Sequence, residues 1–286
     1  MPQHLRSWLP GLVALITITV AVGAAGACAS SSGPDSPPPS SSTAAAPLDV
    51  ALPPAGAPFD YQIGGPYMPH AETRVVSRDR GAAPAPGLYN ICYVNAFQAQ
   101  PDELDWWRST HPDLLLRDRD GDEVVDEEWD EVLLDVSAPA ARAALADVVG
   151  GWIDGCARHG FDAVEPDNLD SYTRSRGLLD RADATAFATL LAERAHGAGL
   201  AIAQKNDTDL AAEGRSIGFD FAVAEECGRW DECDAYTATY GALVLVIEYD
   251  DEGFAAACDG WPELAIVRRD VDVSAPGDEA YDYSAC

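Results

Sequence analysis

Acids, amides and a single lysine recur at the ends of short apolar runs along this chain of 286 residues. Glu165-Pro166-Asp167-Asn168, Gln204-Lys205-Asn206-Asp207, Glu225-Glu226 and Glu248-Tyr249-Asp250-Asp251 each close such a run. Two carboxylates facing one another across a cleft are the minimum for breaking a glycosidic bond. One protonates the leaving oxygen, and the other attacks the anomeric carbon or activates a water. Asp167 and Glu225 are the expected pair, with Glu248 as the alternative second acid. Alternation along a strand puts Ala163, Glu165 and Asp167 on one face, which brings Glu165 into the same pocket. Lys205 is the only lysine, every other basic side chain apart from His being arginine. A compact ammonium there would keep a neighbouring carboxylate ionised while a more distant partner stays protonated. Gln62, Tyr93, Glu165, Asn168, Asp170, Lys205, Asn206 and Glu248 are the expected substrate-binding residues.

Competing patterns are weaker. Gly214-Arg215-Ser216-Ile217-Gly218 has the spacing of a serine-hydrolase elbow, but it leads from a helix toward a strand, and no His follows it. Asp118–Asp122 resembles a calcium loop but has Glu123 where that loop needs Gly, so an acidic hairpin is expected. No CxxC and no Cys/His cluster is present, so neither a metal nor a cofactor is expected. Trp106, Trp107, Trp129, Trp230 and Trp261 are candidates for stacking on sugar rings or for packing under loops.

The elements that must position these residues are short β-rich runs separated by helical patterns, the signature of parallel βα units. Strands are expected at Phe59–Ile63, Leu88–Val94, Val132–Val136, Ala163–Pro166, Leu200–Gln204, Phe219–Ala224, Leu243–Glu248 and Leu264–Val267. Helices are expected at Ala138–His159 and Asp183–Ala198, with shorter ones at Asp102–Arg108, Asp209–Glu213, Glu232–Tyr240 and Asp251–Cys258. Gly64–Pro86 reads mostly as loop. The fold class is therefore α/β, a single-domain (β/α)8 TIM barrel, whose chemistry belongs at the C-terminal ends of its strands. An open doubly wound sheet is the runner-up, without the glycine-rich phosphate loop that would favour it.

The ends set the compartment. Leu12–Ala27 is uncharged and follows His4 and Arg6, as a signal peptide over residues 1–27 would. Ala25-Gly26-Ala27-Cys28 resembles a lipobox, so Cys28 is the expected lipidation site, with ordinary cleavage after Ala27 as the alternative. Residues 28–58, rich in Ser, Pro and Ala, are expected to form a disordered tether to a domain over residues 59–286. The only membrane contact expected is through that lipid anchor, on an exported monomer. Of the 7 cysteines, those after Cys28 are even in number, as disulfides in an exported chain require. Cys227 with Cys233 and Cys258 with Cys286 are the preferred pairs, leaving Cys92 with Cys156. The net charge of −30 repels nucleic acid and favours cationic partners.

The stretch Gly160–Asp170 resembles the G-x-D-G-V-E-P-D-N-x-D block of glycoside hydrolase family 114, the endo-α-1,4-polygalactosaminidase family of TIM-barrel enzymes. Gly199–Asp207 resembles its "KND" strand, Phe219–Cys227 its "FDFAVNEQC" strand, and Val246–Tyr249 its "VEY" strand. Ile91-Cys92-Tyr93 is similar to its "ICY", and Trp129–Val136 to its "E-x-W-L-D-I". The resemblance runs from about Asp60 to Cys286. It implies that Asp167 and Glu225 are catalytic and that the partner is a cationic amino-sugar polysaccharide made of α-1,4-linked galactosamine. Ala224 and Glu226 depart from the Asn and Gln flanking the family's Glu, and Asn95-Ala96-Phe97 departs from its "SAG". Those departures motivate two alternatives, a non-catalytic carbohydrate-binding lipoprotein and a hydrolase of another amino-sugar polymer.

Overall fold

The computed structural model describes residues 50–286. The expectations for the signal peptide, Cys28 and the tether up to residue 49 therefore lie outside the described residues. Eight strands run parallel and in sequence order: β1 Phe59–Gln62, β2 Val75–Asp79, β3 Tyr89–Asn95, β4 Ala163–Asp167, β5 Ala201–Lys205, β6 Phe221–Glu225, β7 Val244–Glu248 and β8 Ala265–Arg269. A ninth, β9 Tyr283–Ala285, pairs antiparallel with β8. Among the described residues no ladder joins β8 or β9 to β1. Side chains bridge that seam instead: the Tyr283 hydroxyl donates to the Phe59 carbonyl at 3.0 Å, and the buried Arg269 lies 3.7 Å from the buried Asp60. The result is a nearly closed TIM barrel with a single domain.

Two expectations about the strands are corrected. The second barrel strand is Val75–Asp79, within the stretch read as loop. It carries only two apolar residues, and its outward Arg78 is buried by donating to Gln62, Ala83 and Tyr67. Val132–Val136 is not a barrel strand. Glu131–Leu133 is instead the centre of a small antiparallel sheet with Gln98–Ala99 and Val125–Asp126, inserted after β3. An apolar run bounded by turns suits either sheet, and pairing partners decide which one it joins. The tether expectation is also corrected at its end. Residues 50–58 pack on the barrel, with Pro53 buried and the Tyr89 hydroxyl donating to Ala51 O at 2.7 Å.

The barrel interior alternates bulk with small residues, as a tapered ring of side chains requires. Phe59, Tyr61, Ile91, Phe221 and Ile247 pack inward against Ala163, Ala201, Ala203 and Ala265. The opposite faces of the same strands meet the helices in a second core. Helix α1 spans Leu104–Thr110 in the insertion. Helix α2, Pro139–His159, starts with Pro in its first turn and stops at Gly160, whose φ of 91° lets the chain turn back into β4. Helix α3, Arg181–Gly197, starts at a capping box between Asp180 and Asp183. Short helices α4 Thr208–Ala211 and α5 Gly214–Ile217 follow β5; α6 Cys233–Tyr240 follows β6, and α7 Asp251–Gly260 follows β7. Gly214 explains the apparent serine-hydrolase spacing. A Cβ there would sit 1.8 Å from the Tyr240 hydroxyl and 2.6 Å from Gln204 Oε1, so glycine serves close packing. The Asp118–Asp122 stretch is a hairpin tip, with Arg117 bridging antiparallel to Glu123.

Disulfides join Cys92 to Cys156, Cys227 to Cys233 and Cys258 to Cys286, the same three pairs preferred from the sequence. The first ties β3 to α2, the second closes the loop after β6, and the third holds the C-terminus against α7.

Candidate active site

Inward positions alternate along each strand, so the inward residues near each strand's C-terminal end reach the rim. These include Tyr93, Asp167, Lys205 and Glu225. Lys205 is the hub. Its Nζ lies 3.1 Å from Asp167 Oδ1, 3.3 Å from Glu165 Oε1, 3.3 Å from Glu225 Oε2 and 3.2 Å from the Tyr61 hydroxyl. Each acid also accepts from one tyrosine. Tyr61 donates to Glu165 at 2.9 Å, Tyr93 donates to Asp167 Oδ2 at 2.7 Å, and Tyr249 donates to Glu225 Oε1. Ser77 of β2 donates to the other oxygen of Glu165 at 2.7 Å.

Depth separates the roles. The side chains of Lys205 and Glu165 are 1% and 0% exposed, whereas those of Asp167 and Glu225 are 16% and 23% exposed. Lys205 and Glu165 therefore form the floor, and only Asp167 and Glu225 of the hub's acids face a ligand. Burial by itself lowers the Lys205 pKa. Asp167, Glu225 and Glu165 outweigh it and hold its pKa well above the ordinary lysine value. For Asp167, burial pushes the pKa up, but Lys205 and the donors Tyr93 and Asn168 N–H bring it below the ordinary range. Burial leads in raising Glu165 to about 6, against the pull of Lys205. Burial and the surrounding acids keep Tyr61, Tyr93 and Tyr249 protonated as donors.

The residues after Asp167, Lys205 and Glu225 turn sharply. Asn168, Asn206, Asp207 and Glu226 have φ of 67°, 51°, 64° and 56°, a region that non-glycine residues rarely occupy. This turn brings the Asn168 backbone N–H onto Asp167 Oδ1 at 2.8 Å. Asn206 grips Glu225 twice, donating from Nδ2 to Oε2 and accepting from its backbone N–H, both at 2.8 Å. Asp170 stands at the rim, bonded to Arg174 at 2.9 and 3.0 Å. Trp129 and Trp230 are 51% and 63% exposed on loops after β3 and β6. Trp107 is instead buried packing, and Trp261 is held by Asp234.

Two expected site residues lie elsewhere. Gln62 points outward from β1, donating to Asp60 and accepting from Arg78 and Tyr67 N–H. Its inward neighbour Tyr61 takes the place in the site. Glu248 also points outward. Its Oε1 accepts from Gly228 N–H at 2.7 Å, and its inward neighbour Tyr249 contacts Glu225. The alternative pairing of Asp167 with Glu248 is therefore set aside. Tyr61, Ser77 and Tyr249 are the residues that the sequence reading missed, together with Glu131 on the flank of Asp167.

The sequence profile of glycoside-hydrolase family GH114 matches residues 39–285. The chain belongs to this family. It is a glycosidase on a TIM barrel. The structure of Aspergillus fumigatus Ega3 in complex with galactosamine is similar at a TM-score of 0.66 and 22% identity, covering 83% of this chain and 98% of that one. The glycoside hydrolase domain of Pseudomonas aeruginosa PelA is similar at a TM-score of 0.52 and 16% identity, covering 77% of this chain and 96% of that one. At these identities the likeness to both structures is one of fold. Comparison with curated proteins gives no match.

Glu248 offers a test separate from catalysis. Burial, opposed by N–H groups of Gly228 and Arg229, raises its pKa to about 7. A raised carboxyl favours the fold fully below the ordinary Glu pKa of about 4.3, and that contribution is lost as pH rises through 7. Glu248→Gln keeps an acceptor for Gly228 without the buried charge. Its melting temperature should gain on the wild type between about pH 5 and pH 8, with turnover retained. Thermal unfolding at the two pH values, with an activity assay, checks both parts.

Proposed function

We propose that this chain hydrolyses α-1,4-linked galactosamine-containing polysaccharide, with Asp167 as nucleophile and Glu225 as general acid and base. The observation that carries the reading is the shared ammonium of Lys205. It joins two cleft-facing carboxylates at the rim, one of them held ionised. Asp167 attacks the anomeric carbon while Glu225 gives its proton to the leaving oxygen. In the second step Glu225 takes a proton from water, which displaces Asp167 from the glycosyl-enzyme.

The separation supports retention of configuration. The oxygens of the pair that meet Lys205 Nζ lie 3.1 and 3.3 Å from it, which puts them at most about 6.4 Å apart. An inverting pair stands about 6.5–9.5 Å apart to admit a water. The net charge of −30 and the acidic rim support a cationic polymer, as does the galactosamine in the Ega3 complex. Ala224, one of the two departures beside Glu225, faces the outer core rather than the cleft, which removes much of the motive for a non-catalytic reading. Disulfides are consistent with an exported enzyme, and lipidation at Cys28 would hold it at the outer face of a membrane.

The test is mass spectrometry of the products from partially deacetylated α-1,4-galactosamine polymer, with proton NMR of the newly formed reducing ends. Short oligomers whose first-formed ends are α support the reading. First-formed β ends would overturn retention, and release of no oligomers would overturn the substrate.

A further inference from the structure

Beside Asp167 stands an acid that the catalytic pair does not use. Glu131 comes from the small antiparallel sheet inserted after β3, not from a barrel strand. Its Oε2 accepts from Asn95 Nδ2 at 2.8 Å and from Asn168 Nδ2 at 3.3 Å. Asn168 is also the residue whose backbone N–H holds Asp167. One asparagine therefore fixes both acids, and Glu131 lies on the nucleophile's flank.

Three features single it out. Glu131 is 9% exposed, yet its Oε1 accepts no hydrogen bond from the described residues and is not sealed from solvent. Nearby acids have cations: Asp126 and Asp170 share Arg174, at 2.6 and 2.9 Å, and Asp167 has Lys205. No ion pair reaches Glu131 among the described residues. Asp207 and Glu248 also have an unpartnered oxygen, but theirs are closed off from any ligand. Arg174 acts on Glu131 only across Asn168, to which it donates at 3.3 Å, so a buried carboxylate held by two amides, with one open oxygen and no direct ion pair, is placed to receive a cation from outside.

We propose that Glu131 is the specificity-determining carboxylate of this site, receiving the free ammonium of a 2-amino sugar whose anomeric carbon faces Asp167. The inference rests on the galactosaminidase reading. C2 is bonded directly to the carbon that Asp167 attacks, so its substituent falls on the nucleophile's flank. An ammonium there gains a charge-assisted hydrogen bond. An N-acetyl group brings no charge and offers only a neutral N–H donor together with a bulkier acyl group. Consistent with this, burial pushes Glu131 up to about 7, with Asp167 and Asp126 adding to the rise and Asn95 and Arg174 opposing it. A bound ammonium would favour the ionised form.

The experiment compares wild type with Glu131→Gln on de-N-acetylated and fully N-acetylated α-1,4-galactosamine oligomers. Binding of galactosamine and of N-acetylgalactosamine is followed by NMR titration in parallel. Gln keeps an oxygen for Asn95 and Asn168, so the network can persist, and a thermal melt verifies the fold. The expected result is that kcat/KM on the free-amine oligomers falls about 100-fold. Activity on the acetylated oligomers should hold or rise, and the variant should lose its preference for galactosamine in the titration. Equal loss on both oligomers, or unchanged preference in the titration, would overturn the assignment. If wild type cleaves the free-amine oligomers and the variant matches it, Glu131 alone is misassigned. If wild type cleaves neither, the galactosaminidase reading fails and this inference fails with it.

Discussion

Asp167→Asn should lower kcat by about 10,000-fold with little change in stability. The carboxylate is the only hub acid held ionised by Lys205, Tyr93 and a backbone N–H while still reaching the cleft. An amide of the same shape keeps one acceptor but cannot form the glycosyl-enzyme bond. Glu225→Gln should behave differently. With a polymer, whose leaving oxygen needs a proton, it too should be nearly inactive. An aryl glycoside of the same sugar has a leaving group that departs without a proton. With that substrate the first step should survive in Glu225→Gln and fail in Asp167→Asn. Pre-steady-state kinetics with both substrates separates the two. An aryl burst that persists in Asp167→Asn and vanishes in Glu225→Gln would reverse the roles.

The reach and the limits of the sequence follow one rule. Asp167, Lys205 and Glu225 are legible because each ends a short apolar run, and strand ends at one rim converge whatever the details between them. Gln62 and Glu248 miss the site by a single residue each. Tyr61 and Tyr249, their inward neighbours, hold the places there, because a one-residue step along a strand changes the face. Polarity favours the acid and the amide, and it cannot reveal that Tyr61 meets an acid 104 residues away in the chain. Ser77 stays hidden because its strand has only two apolar residues and a buried arginine. Glu131 is masked by the run Asp126–Glu131, which reads as a solvated acidic stretch although Asp126 and Glu131 are both buried. The number of barrel strands is legible, and so are seven of the eight segments that supply them. One expected strand belongs to the inserted sheet, and the strand that replaces it lies in apparent loop.

Lys205→Met should be the most damaging change to the floor, and its consequences should divide between stability and chemistry. Methionine fills a similar volume but leaves Glu165 sealed beneath Asp167 and Glu225 with no cation. Removing one partner of a buried ion pair typically costs about 3–5 kcal/mol. Part of that penalty should disappear as pH falls, because Glu165 already has a raised pKa of about 6 with Lys205 present, and without the ammonium it would rise further. The folded-state pKa lies above the unfolded one, so the variant should be closest to wild type below the ordinary Glu value and fall behind as pH rises. Adding Glu165→Gln removes the stranded charge and keeps acceptors for Tyr61 and Ser77. The double variant should recover much of the lost stability, since a buried pair replaced at both ends is often nearly neutral. Activity should not return. Asp167 would still lack the ammonium that holds it ionised, and the acid limb of its kcat/KM profile would move upward in pH. Melts of the four proteins in this cycle, with a pH–rate profile for each, test the division. A double variant as unstable as Lys205→Met would mean that Glu165 is not the stranded charge. A double variant with restored kcat would mean that Lys205 serves the fold and not the nucleophile.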